Sequence, residues 1–432
     1  MSAVPDLRKA LPPEAVALLE RVGSHAAAKG ARAWLVGGPV RDLFLGAENA
    51  DLDIAVEGDG LEFARGLAAE LGAQAVEYER FLTATLTMPD MGRLDIATAR
   101  AEDYDSVAAL PKVRPATMKD DLYRRDFTIN AMALALTRGE FGELMDPFGG
   151  AADIDGELVR VLHDASFRDD PTRMMRGARF TSRFGFNLEP GTARLMKEAL
   201  AQGVMGRLSA DRRRNEFLLA FSEEDPGAAV AAMAELGLLE AAAPGADAGG
   251  QYVELAGALG TLLPMVEKGT GFDPAIAHLL LLFRGADAAS VARAAAALNL
   301  GAAARRAFDR APVLRELTGR LTGARTAGDV RRVAAEEPAE VLLATLVMIG
   351  PEEARRAVIS YLGRGSSSPL MTGDDLIRMG YAPGPLLSVM LEALLQEKLD
   401  GRLADRAAEE EFIRRTFPRG GTSGGKWGGA KA

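Results

Sequence analysis

An α+β head followed by an all-helical remainder is the fold class this sequence predicts. Strand-like runs with alternating apolar residues are confined to the first third of the chain. From about residue 155, amphipathic helical spacing follows without a break to about Phe417. At 432 residues the chain also exceeds what one hydrophobic core usually supports, so two to four domains are expected.

Taken in order, Pro12-Pro13-Glu14 opens a helix over residues 13 to 29, with Val16, Leu18, Leu19 and Val22 as its apolar stripe. Ala33-Trp34-Leu35-Val36 is a short buried strand ending in Gly37-Gly38, and Pro39 suits the first position of the next helix. Leu52 to Val56 is a second strand and Leu61 to Leu71 a helix. Thr83 to Met88 and Arg93 to Thr98 read as a hairpin pair. Ala97 to Pro115, rich in Ala, Pro and charge, reads as a loop, and Asn130 leads into a small-residue helix. Val341 to Ile349 fits a core helix, and the glycine-rich stretch Gly420 to Gly429 cannot bury a core and is expected to be disordered.

Composition narrows the function classes. Apolar content of 48% is that of a soluble globular protein, and no run approaches the ~18 apolar residues of a membrane span. The first residues lack the basic and apolar regions of a signal peptide, so a cytoplasmic location with no membrane partner is expected. With no cysteine there is neither a disulfide nor a thiolate metal site. The net charge of −10 speaks against a nucleic-acid partner only as a global count, because binding depends on local fields. Between Ala303 and Arg332 eight arginines stand against three acids, and a second basic group runs from Arg173 to Arg214. Solubility alone accounts for such groups equally well.

Four constellations carry chemistry. In Tyr123-Arg124-Arg125-Asp126-Phe127-Thr128-Ile129-Asn130-Ala131, the Arg125-Asp126 pair beside Asn130 suits a charged, hydrogen-bonding ligand such as a nucleoside triphosphate. Asp51 and Asp53, two apart in a strand, project from one face and repel unless a cation sits between them; Mg2+ is the natural occupant. Asp95, on a neighbouring predicted strand, is either a third catalytic carboxylate or a solvent-facing edge residue. Gly37 and Gly38, at a strand-to-helix turn, let backbone approach phosphate oxygens, with Arg41 in the first helical turn. Asp170 and Arg173, at i and i+3 on a helix, can meet the amine and adjacent acceptor shared by cytosine and adenine, while Arg176 and Arg179 fan out toward phosphate.

Together these elements resemble the bacterial class II tRNA nucleotidyltransferases of the polymerase-beta-like superfamily. The matching runs are Leu35 to Asp42, Asp51-Leu52-Asp53, Arg124 to Ala131 and Asp169-Asp170-Pro171-Thr172-Arg173. Leu208 to Arg212 with Glu216 resembles the family's neck motif, and Met371 to Leu376 its tail. The resemblance implies that Asp51 and Asp53 hold catalytic magnesium, and that Gly38, Arg41, Arg125, Asp170, Arg173, Arg176 and Arg179 bind nucleotide. It implies protein-templated addition of all or part of the 3′-terminal CCA of tRNA from CTP and ATP. It also implies a nucleotidyltransferase head with a small mixed sheet (1–150), a helical neck (151–225), a body (226–370) and a tail (371–417), before the terminal 418–432. Asp169 and Pro171 give a form similar to the branch containing A-adding relatives. Poly(A) polymerases, and a noncatalytic RNA-binding nucleotide sensor, are the alternatives.

Overall fold

The computed structural model describes residues 4–47, 52–88, 92–109, 111–266, 271–364 and 368–418. Asp51 and the glycine-rich terminal stretch therefore lie outside the described residues. The chain forms two compact units, Met1–Pro244 and Gly245–Ala432.

The first unit is organised by a seven-stranded mixed sheet. In chain order its strands are β1 (Arg32–Val36), β2 (Leu52–Glu57), β3 (Gln74–Tyr78), β4 (Thr83–Met88) and β5 (Gly92–Thr98), followed after a gap by two short ones. A separate hairpin, β6 (Arg100–Asp103) and β7 (Lys112–Pro115), precedes β8 (Ala133–Ala135) and β9 (Leu144–Met145). The spatial order is β3-β4-β5-β2-β1-β8-β9. Only β2 and β5 pair in parallel, with Asp53 opposite Asp95 and Ile54 opposite Ile96; their neighbours pair antiparallel.

Alternation decides which face is covered. Ile54, Ile96, Ala84 and Leu86 are buried, and the Gly60–Leu71 helix supplies Phe63, Ala64 and Leu67 to the same layer. Arg65 of that helix bonds Glu77 of β3, opposite Ala84 in the register, which fixes the helix on that face. Side chains of the other parity, among them Asp53, Thr85 and Asp95, are only partly buried. Over Trp34, Val36 and Ala55 this second face is covered by Met118 and Leu122 of the Met118–Tyr123 helix.

Three sequence expectations need correction. The expected loop Ala97–Pro115 contains the β6–β7 hairpin, whose charged, Pro-ended strands show no apolar alternation. The expected small-residue helix after Asn130 is a 3-10 turn, Thr128–Asn130, leading into β8; Ala133, Leu134 and Ala135 are buried on both sides, so the strand has no polar face to betray it. Beyond residue 155, where no strand was expected, Leu158–Val159 and Asn187–Leu188 pair in parallel over two residues. The remainder is helical as expected.

The second unit is helical throughout its described residues. The Ala339–Met348 helix is its core, burying Val341, Leu342, Leu343 and Leu346 against the Pro274–Leu282 helix, which is apolar but for the buried His278. Met371, Leu376, Tyr381, Met390, Leu394 and Ile413 form a separate apolar cluster toward its end. No described helix is long and apolar enough to cross a membrane.

Close backbone packing makes one glycine decisive. A Cβ on Gly23, in the Pro13–Ala28 helix, would lie 1.9 Å from the Leu136 carbonyl oxygen. The helix gains little from an added methyl there compared with the clash. Gly23→Ala should lower the stability of the first unit by about 1–3 kcal/mol in urea titration; an unchanged or raised midpoint would contradict this packing.

Candidate active site

The cleft is built from the end of β1 outward. Leu35 lies opposite Ile54 in the register, so the chain leaves β1 beside Asp53 and turns at Gly37. Gly37 has φ 75°, and a Cβ there would stand 2.5 Å from Arg125 Nη1. Both the dihedral and the space exclude a side chain. The Gly38–Leu45 helix then starts with its N-terminus at the cleft and brings Arg41 up in its first turn.

A cavity of about 470 Å³ follows, lined by Gly37, Gly38, Asp53 and Asn130, by five arginines (41, 124, 125, 173 and 176), and by Glu102, Asp126 and Asp170. The sequence separations are large, and one polar chain unites them. Arg41 binds Asp42 Oδ1 through Nε at 2.8 Å and donates from Nη1 to Asn130 Oδ1 at 2.6 Å. Asn130 Nδ2 donates to Asp126 Oδ1 at 2.9 Å, and Arg176 grips Asp126 Oδ2 through Nε and Nη2 at 2.8 and 2.6 Å. The Arg41 guanidinium also lies 4.7 Å from the Phe184 ring centroid. Burial alone would push the Asp126 carboxyl up; the Arg176 charge and hydrogen bonds from Asn130 and Arg176 hold it at about 2 instead.

Arg125 forms the wall beside Gly37. Its Nη2 bonds Asp121 Oδ2 at 3.0 Å, while its buried Nε has no hydrogen-bond partner among the described residues. The guanidinium-rich wall that Arg125 shares suits an anionic ligand. Asp121 itself is buried beneath both Arg124 and Arg125. Its i, i+3 and i, i+4 spacing from those arginines was a readable signal that sequence reasoning passed over.

The neck residues are arranged differently from expectation. Asp170 does not share a helix with Arg173: it sits at extended backbone (φ −136°, ψ 98°) before the Thr172–Phe184 helix begins. Its Oδ1 accepts from Thr172 Oγ1 at 2.6 Å and from Arg212 Nη2 at 2.6 Å. Arg173 instead bonds Ser166 Oγ at 2.7 Å and the Arg124 carbonyl at 2.6 Å. Both still border the cavity. Arg179, expected at the nucleotide, is buried and bonds Glu223 at 3.0 Å, with Glu216 at 4.0 Å; it is not part of the cavity wall. Burial raises the Glu216 carboxyl, against the lowering influence of Arg176 and Arg179.

Sequence reasoning missed Glu102, Tyr104 and Arg212. Glu102 accepts from Tyr104 Oη at 2.7 Å and from Arg124 Nη1 at 2.8 Å. Arg212, already within the neck motif, joins Asp170 to the Ala108 carbonyl at 3.3 Å, tying the hairpin tip to that acid. In the second unit the arginine group 305–332 is largely neutralised: Arg305 pairs with Asp309, Arg310 with Glu337, Arg325 with Glu353, Arg331 with Glu392 and Arg332 with Asp329. It offers less free positive charge than its sequence count implies.

A divalent ion fits the edge of this cleft chemically. Asp53 lines it, and parallel register sets Asp95 alongside on the same face, where Thr85 Oγ1 donates to it at 2.6 Å and Arg93 pairs with it. Hard carboxylate oxygens next to a phosphate-sized cationic cavity are the donor set magnesium takes.

The chain is similar to known proteins over most of its length. Residues 33–160 match the poly A polymerase head domain, and 185–249 match the probable RNA and SrmB-binding site of polymerase A. The chain is 32% identical to the A-adding tRNA nucleotidyltransferase of Halalkalibacterium halodurans, covering 93% of this chain and 92% of that one. It is 34% identical to the A-adding tRNA nucleotidyltransferase of Geobacter sulfurreducens over 93% of this chain, but spans only 47%, about half, of that longer relative. The Thermotoga maritima CCA-adding enzyme complexed with tRNA superposes with a TM-score of 0.72 at 32% identity, covering 95% of this chain and 97% of that one.

The Asp126–Arg176 pair yields a stability test. Since that carboxyl falls from its ordinary 3.8 to about 2 on folding, the pair's contribution is complete above about pH 4 and lost as pH falls through about 2. Arg176→Gln should cost about 2–3 kcal/mol at pH 7 by urea titration, with the deficit shrinking toward pH 2. A deficit that does not change with pH would refute the ion-pair origin.

Proposed function

This chain belongs to the tRNA nucleotidyltransferases built on the poly A polymerase head domain, and from that premise we propose that it transfers AMP from ATP to the 3′ end of tRNA, completing the CCA terminus. The single observation that supports this most is the cavity. Its guanidinium wall, glycine turn and helix N-terminus suit a triphosphate, with Asp53 at one side and Asp170 and Arg173 at another. The A-adding step is favoured by the two A-adding relatives that match nearly the whole chain.

In this reading Gly37 and Gly38 admit the phosphates to the backbone, and Arg125 meets them with the guanidinium it sets beside Gly37. Asp126 and Asn130 do not touch the phosphates first; they hold Arg41 and Arg176 in place. Asp170 accepts from the exocyclic amine of the base and Arg173 donates to the neighbouring ring acceptor. A uracil or guanine edge would leave these groups mismatched. Arg212 is a positioning residue, since it fixes the Asp170 carboxylate from behind. Magnesium bound by Asp53, with Asp51 and Asp95, would acidify the 3′ hydroxyl and offset charge on departing pyrophosphate. The bond formed joins the 3′ oxygen to the α-phosphorus, the bond broken releases pyrophosphate, and the hydroxyl proton goes to solvent.

A second reading, addition of all of CCA from CTP and ATP, is favoured by the similarity to the Thermotoga maritima CCA-adding enzyme. The amine-beside-acceptor edge is common to cytosine and adenine, so the base site is compatible with either.

Two experiments test these assignments. Transcripts ending at the discriminator base, after C and after CC should be offered with labelled CTP or ATP separately. The A-adding reading predicts label only from ATP on the CC-ended transcript; CTP incorporation on the shorter ones would replace it with the second reading. Asp53→Asn should lower incorporation by about 10³-fold or more while ATP affinity stays within a few fold, and Asp170→Asn should narrow the preference for ATP over UTP and GTP. Wild-type selectivity in Asp170→Asn would remove that residue from base recognition.

A further inference from the structure

The register of the sheet extends the catalytic row well beyond the cleft. Asp53 lies opposite Asp95, Asp95 opposite Thr85, and Thr85 opposite Val76, so these four side chains form one line on a single face. The next row is Ala55, Ala97, Thr83 and Tyr78. On the other face the Gly60–Leu71 helix covers the sheet, and the Met118–Tyr123 helix covers only the Trp34–Ala55 portion of this one.

Toward the β3 edge the face is open. Val76 is 52%, Tyr78 50% and Phe81 42% exposed. Sheet edges usually avoid exposed large apolar groups, because such an edge invites another chain. Here Val76 sits on the line that leads to Asp53 and Asp95, Tyr78 in the row beside it, and Phe81 in the turn that joins β3 to β4. Arg80 lies against the Phe81 ring, 5.7 Å from its centroid, adding a cation to the patch.

The direction of the reaction gives this face an occupant. The triphosphate site lies on the β1 side of Asp53, where Gly37, Gly38 and Arg125 stand. In phosphoryl transfer the entering and leaving oxygens lie roughly in line on opposite sides of the phosphorus. With the triphosphate on the β1 side, an acceptor hydroxyl reaches Asp53 from the β5-β4-β3 side. Unpaired RNA ends are held by stacking of bases on aromatic rings, with hydroxyl and cationic groups along the backbone. Tyr78, Phe81, Thr83 and Arg80 are that set.

We propose that the open face of β3 and β4, with Tyr78 and Phe81 as stacking groups, receives the unpaired 3′ end of the acceptor RNA and leads it to Asp53 and Asp95. The proposal rests on the polymerising reading above, and the test separates the two. In the full-length chain, Tyr78→Ala with Phe81→Ala should raise KM for a CC-ended tRNA transcript by about tenfold. KM for ATP and the urea midpoint should stay at wild-type values, since both side chains are half-exposed. Tyr78→Phe should retain wild-type KM for RNA. With 4-thiouridine at the discriminator position, ultraviolet crosslinks should map to residues 74–87. Wild-type transfer together with an unmoved RNA KM in the double variant overturns the platform alone. A rise in both KM values, or a lowered midpoint, assigns the effect to the fold and likewise overturns it. A wild-type chain that transfers nothing to any transcript overturns the polymerising reading and the platform together.

Discussion

The pairing of Asp126 with Asn130 and Arg176 is the interaction on which the rest of the cleft depends. Three segments meet there: the helix after β1 through Arg41, the turn after the Met118–Tyr123 helix through Asp126 and Asn130, and the Thr172–Phe184 helix through Arg176. Each of those side chains is polar or charged, and most are removed from water. A buried chain of this kind costs desolvation for every member and repays it only when every link is made. Partial formation would leave Asp126 buried without its counter-ion or Arg41 short of one acceptor, so forming the chain favours fixing the three segments together.

That constraint explains why the cleft combines so many cations without collapsing. Arg124 and Arg125 share Asp121 beneath them, Arg173 is engaged by a hydroxyl and a carbonyl, and Arg176 by Asp126. What remains for a ligand is the surplus: the part of Arg125 that lines the cleft, the glycine turn and the N-terminal end of the Gly38–Leu45 helix. The local chemistry suits a triphosphate. Arg212 adds a different kind of link, since it joins Asp170 to the tip of the β6–β7 hairpin.

Much of this was legible in the sequence, for identifiable reasons. β4 and β5 follow from alternation because one face is more deeply buried than the other, while β1 is readable as a short apolar run ending at Gly37-Gly38 and β2 as one beginning with Leu52-Asp53-Ile54. β3 escaped because four of its five residues are exposed, which leaves no pattern to read, and β8 because it has no exposed face. Asp126, Asn130 and Arg176 stood out as residue types, yet nothing local signals that Arg176 reaches back fifty positions to Asp126. Asp170 and Arg173 looked like helical neighbours by spacing alone. Pro171 starts the helix after Asp170, and that single residue redirects the carboxylate to Arg212. The arginine group of the second unit misled in the opposite sense, since acids from distant helices neutralise it.

The most direct measurement of the central claim is calorimetric titration of ATP with magnesium into Asn130→Leu. The substitution keeps similar volume but removes both the acceptor used by Arg41 and the donor used by Asp126, while Asp53, Asp170 and Arg173 stay in place. If the Asp126-centred chain sets the cleft, ATP should bind at least about tenfold more weakly than to the unaltered protein. Undiminished ATP affinity in a folded Asn130→Leu protein would contradict the account.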